Sequence, residues 1–133
     1  MSPSVPMPQS QRPLSPHLQV YRLPFTALLS ITHRLTGLAL SLGAVLLIGL
    51  LLAAAAGPES YAPVHALARS WAGQAVLLAF TFALYFHMAN GVRHLFWDVG
   101  YGFELATADK TGIAVVVVAL ALTAMTWLLT WLP

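Results

Sequence analysis

Three long apolar blocks dominate this chain, and nothing else in it restricts the fold so strongly. From about Phe25 to Ala56 only Arg34 is charged, and from about Thr111 to Leu132 no residue is. The middle block is apolar from about Trp71, with a helical pattern that starts near Pro63 and runs to Asp98. Each block exceeds the ~20 residues a helix needs to cross ~30 Å of hydrocarbon. In a bilayer every backbone N–H and C=O must be bonded internally, which admits only helices and closed barrels. The blocks lack the alternation of barrel strands, so the sequence predicts an all-α integral membrane protein with three transmembrane helices. Gly57-Pro58 in AAGPESYAP and the two glycines of VGYGFELATADK mark the loops between them.

Composition agrees. Of 133 residues 59% are hydrophobic and 8% charged, with a mean hydropathy of +0.78, too little charge to cover a soluble domain. The six Lys and Arg are scattered singly, so no basic run offers a nucleic-acid surface. Cysteine is absent, which excludes disulfides, thiolate metal sites and covalent haem attachment. A bound metal or cofactor must use histidine, carboxylate or backbone. No Gly-rich phosphate loop, Ser-His-Asp order or pair of carboxylates within an apolar block points to a soluble catalytic core.

The stretch 1–23 is rich in Pro, Ser and Gln and has no apolar core, unlike a secretory signal. It reads as an irregular inner-side segment ahead of a membrane domain spanning 24–133. With no processed presequence evident, a bacterial inner membrane is favoured over a mitochondrial one. Basic residues orient the spans: Arg12, Arg22 and Arg34 lie at the start of the first, Arg93 and Lys110 flank the second loop, and only Arg69 is opposite. The N-terminus and second loop are therefore expected inside. Trp127 and Trp131 fit an aromatic belt at the other face. Two polar clusters, SITHRLTG and HMANGVRHLFWD, then fall at similar depth and become neighbours.

Helical spacing arranges these clusters. His87, Gly91, His94 and Asp98 share one stripe, while Arg93 points elsewhere. With Asp98 at the inner interface, His87 lies ~16 Å further in at 1.5 Å per residue. A histidine at that depth, with glycine a turn away, suits an axial haem ligand with room for a flat macrocycle. It suits equally a histidine bonded to a neighbouring helix beside a packing glycine. Spacing leaves both open. Ser30, His33, Arg34 and Gly37 form another stripe. An arginine inside a span needs a polar or anionic partner, such as a haem propionate or a quinone carbonyl, unless it snorkels to the interface. His94 lies ~10 Å from His87 along one helix and cannot bind the other side of the same ring. His33 is geometrically possible, but a second membrane subunit supplies that ligand more economically.

At these residues the chain resembles a known family, the cytochrome b membrane-anchor subunits of succinate dehydrogenase, respiratory complex II. One motif is RPLSPHLQVYRLPFTALLSITHRLT, with Arg12-Pro13, Leu18, Ser30, His33-Arg34 and Thr36; the other is HMANGVRHLFWDVG, with His87, Gly91, Arg93-His94 and Asp98-Val99-Gly100. Together with three spans they cover essentially the whole chain. The resemblance implies that His87 is the metal-binding ligand of haem b, shared with a second small anchor subunit. It implies that His33 and Arg34 lie near the haem propionates, with His94 a propionate or network partner. Ser30 and Arg34 would line the ubiquinone pocket beside the iron–sulfur subunit, which segment 1–23 would contact. Arg93 and Asp98 would be structural. The implied assembly is a succinate:quinone oxidoreductase serving the respiratory chain and tricarboxylic acid cycle. Its flavoprotein subunit oxidises succinate, a reaction this chain does not perform. Two alternatives remain at this point: an anchor whose histidines only pack helices, and a related fumarate-reducing complex using menaquinone.

Overall fold

The computed structural model describes residues 22–131. The segment 1–21, with its expected contact to an iron–sulfur subunit, and the side chain of Trp131 lie outside the described residues. Among these described residues four helices follow in order: α1 Phe25–Ala55, α2 Pro58–Arg69, α3 Trp71–Asp98 and α4 Leu105–Trp131. Three of them, α1, α3 and α4, are long and apolar enough to cross a membrane. At 31 residues α1 measures ~46 Å, more than the hydrocarbon thickness, so it tilts or extends beyond the apolar slab.

The fourth helix is a correction. AAGPESYAP reads as a loop because Gly57-Pro58 stops α1, and Gly57 does so with a φ of 108°. Proline, however, also suits the first helical position, where no N–H is needed, and Pro58 starts α2 there. Glu59 in its first turn and Arg69 in its last both complement the helix dipole. The pattern expected to run unbroken from Pro63 to Asp98 is interrupted at Ser70. This one residue closes α2 and caps α3: its hydroxyl donates to Leu67 O at 2.6 Å and accepts from Gly73 N at 3.1 Å. Gln74 Nε2 then donates to Ala68 O at 2.8 Å. The third span also begins earlier than Thr111, since Leu105–Lys110 is already helical.

The long helices run up, down and up. α3 and α4 share the most extensive interface, with Phe86 and Ala119 almost wholly enclosed beside Leu29 and Val115. Polar pairs hold its length: Trp127 Nε1 donates to Thr81 Oγ1 at 3.3 Å, and Tyr85 Oη lies 2.8 Å from Thr126 Oγ1. Trp127 thus binds α3 as well as suiting an interfacial position. α1 joins at its beginning, where a side chain on Gly112 would collide with Leu29 and Phe25. Further along α1, apolar side chains from Leu38 to Leu52 stay largely exposed, as a lipid-facing or subunit-facing helix requires.

Candidate functional site

The site forms where α1 and α3 meet, near the beginning of one and the end of the other. His33 projects from α1 between two histidines of α3. Its ring stacks on that of His87 with centroids 4.0 Å apart and planes 10° from parallel, and it lies 5.1 Å from His94. Gly37 permits the approach, because a Cβ there would come within 2.9 Å of His87 Cε1. The expected meeting of the two polar clusters is therefore found, and antiparallel topology is its cause.

The bonds to His87 decide its chemistry. Nδ1 lies 3.1 Å from the His33 carbonyl and 3.2 Å from Thr36 Oγ1. A carbonyl only accepts, so Nδ1 carries a proton, and in the neutral ring Nε2 then keeps its lone pair. Metal-binding histidines are commonly held in this way, by a carbonyl on the nitrogen that faces away from the metal. Nothing approaches the Cβ position of Gly91 within 4 Å, so its face of α3 is open. No group of three or more His, Cys, Asp or Glu suited to a metal ion occurs among the described residues. A haem asks less, since its macrocycle supplies four nitrogens and this chain need give one imidazole. These residues fit that demand. His33 does not fit the opposite axial position as arranged: two rings stacked face to face leave no gap for a macrocycle between them.

A second network lies behind the histidines. Arg93 is buried at 6% exposure, donating to Thr111 Oγ1 at 3.1 Å and Ala108 O at 2.9 Å on α4. Its guanidinium carbon sits 3.9 Å from the Trp97 ring centroid. It also reaches Asn90 Oδ1 at 3.5 Å, and the Asn90 amide faces His94 Nε2 at 3.4 Å. A guanidinium can only donate, which fixes Asn90 with its NH2 towards His94. His94 is thereby engaged through Nε2.

Of the sequence-predicted residues, His33, His87 and His94 come together. Ser30 is half-buried one turn before Arg34, and Arg34 is exposed on α1. The shared stripe of Ser30, His33, Arg34 and Gly37 therefore splits, with His33 and Gly37 turned to α3 and Arg34 turned outward. His33 Nδ1 is the one buried side-chain polar atom without a hydrogen-bond partner among the described residues. Sequence reasoning missed Asn90 and the part played by Thr36. Asn90, fully enclosed, was detectable as an amide between an arginine and a histidine on one helical turn. A groove of about 650 Å³ runs between α3 and α4 past Met88, Phe96 and Trp97, away from the histidines.

Residues 8–126 match the family described as succinate dehydrogenase/fumarate reductase transmembrane subunit. A succinate dehydrogenase cytochrome b556 subunit from Paracoccus denitrificans is 44% identical over 118 residues, 89% of this chain and 91% of the relative. Another of that name from Rickettsia typhi is 40% identical over 118 residues, covering 89% and 92%. A mitochondrial cytochrome b560 subunit from Mus musculus is 38% identical over 115 residues, 83% of this chain and 66% of the relative. With three apolar helices, the bacterial relatives identify a multi-pass protein of the bacterial inner membrane. The chain belongs to the succinate dehydrogenase/fumarate reductase transmembrane subunit family.

Proposed function

We propose that this chain is the cytochrome b membrane anchor of a bacterial succinate dehydrogenase, holding one side of haem b and forming part of a ubiquinone site. The observation that carries this reading is the pinned Nδ1 of His87, which leaves Nε2 for iron. The names of the Paracoccus and Rickettsia relatives, succinate dehydrogenase cytochrome b556 subunit, support it. When bound, haem b would supply a one-electron redox centre. His87 on α3 would hold it through Nε2, with a further ligand from a second small anchor subunit. His33, with its unpartnered Nδ1, and Arg34, beside it on α1 and exposed, would lie near the propionates. His94, oriented by Asn90, extends this set.

At the quinone, Ser30 and Arg34 act as donors to a carbonyl oxygen, one helical turn apart on α1. Reduction of ubiquinone takes up two electrons and two protons, so hydrogen-bond donors at the carbonyls stabilise the charge that develops there. Electrons arrive from succinate through a flavoprotein subunit and an iron–sulfur subunit. The N-terminus lies inside with segment 1–23 against the iron–sulfur subunit, and this chain oxidises no succinate itself. Ser30→Ala and Arg34→Ala are expected to depress quinone reduction while succinate oxidation by an artificial dye persists in the same membranes. Equal loss of both activities would mean that these residues serve assembly.

A further inference from the structure

Thr36 is 9% exposed, and beyond its contact with His87 Nδ1 the function proposed above gives it no role of its own. Its hydroxyl donates to the His33 carbonyl at 2.9 Å and stands 3.2 Å from His87 Nδ1 across the interface of α1 and α3. The same carbonyl is 3.1 Å from that nitrogen. The three atoms close a triangle, and one arrangement of protons satisfies it. The single hydroxyl proton goes to the carbonyl, so both oxygens present lone pairs to Nδ1–H. Were Thr36 to donate to a bare Nδ1 instead, nitrogen and carbonyl lone pairs would face each other. The back-bond within α1 fixes the side-chain rotamer of a β-branched residue that has few to choose from. Gly37, one residue on, lets the ring lie against the helix.

Building on the assignment of His87 as haem ligand, we propose that Thr36 is a positioning residue that orients His87 and sets its electron-donating strength. An imidazole whose remaining N–H is given to good acceptors is a more basic ligand. Such a ligand favours ferric over ferrous iron, and hydrogen bonding behind the ligand is a lever on haem potential. The hydroxyl is also polarised by its own donation to the carbonyl, which makes it a better acceptor. Removing it weakens the donor character of His87 and raises the potential.

The test is a redox titration of the haem in the purified complex, per haem bound, for Thr36→Val, Thr36→Ala and Thr36→Ser. The valine and alanine variants are expected to titrate at higher potential than the wild type, and the serine variant to return towards it. Valine or alanine variants at the wild-type potential, or below it, would overturn the proposal. If neither assembles while serine does, Thr36 is merely structural and the proposal also falls. His87→Ala, measured alongside, separates the two assignments. An unchanged haem spectrum there removes the ligand itself, whereas a lost spectrum with unshifted Thr36 variants removes only the role of Thr36.

Discussion

Arg93 lies within a span yet reaches no lipid. Its planar fork bonds two groups on α4 while its face rests on Trp97. Lysine keeps the charge but has no fork and stacks poorly, so it cannot hold Thr111 and Ala108 together. Arg93→Lys is expected to cost roughly 2 kcal/mol, at ~0.6–2 kcal/mol per interhelical hydrogen bond. Thermal unfolding of the detergent-solubilised protein reads this as a lower midpoint; an unchanged midpoint would mean the network carries no stability. That Arg93 points away from the stripe of His87, Gly91 and His94 was legible from 100° per residue. Its partner Thr111 was not, because spacing along one helix says nothing of how the next helix is rotated. The same limit explains the histidines. Topology brought His33 to the depth of His87, but ring-on-ring stacking depends on the small size of Gly37, a matter of contact.

Among the elements, the junction of α2 and α3 is the least forgiving. A Cβ on Gly73 would strike the carbonyl oxygen of Leu67 and come within 2.8 Å of that of Ala68, backbone atoms already used in the turn. On Gly43 it would meet the ring of Phe80, which can swing aside. Gly73→Ala is therefore expected to cost about 1–3 kcal/mol, and Gly43→Ala less. Parallel thermal unfolding of the two variants checks the order, and equal midpoints would contradict it. The spans were readable to within a residue at α1 because a continuous apolar run has a clear end at Gly57. α2 was hidden because Gly-Pro signals both the end of one helix and the start of another. The early start of α4 was hidden by the polar composition of ATADK, which helix formation outside the hydrocarbon tolerates.

On the scale of the whole molecule, the proposed orientation sets Ser60 on the outer side and Tyr101 on the inner. The chain has no cysteine, so single introduced thiols report without background. With Ser60→Cys, a membrane-impermeant maleimide is expected to label intact spheroplasts. With Tyr101→Cys it is expected to label only inverted vesicles. The reverse pattern would invert the protein and put the proposed quinone donors on the wrong side for an inner-face iron–sulfur subunit.

The central claim is that His87, pinned through Nδ1, gives Nε2 to haem b. A reduced-minus-oxidised absorbance spectrum of the assembled complex carrying His87→Ala tests it most directly. Loss or marked alteration of the b-type bands, with the other subunits still copurifying, is the predicted result. A spectrum identical to that of the wild type would contradict it.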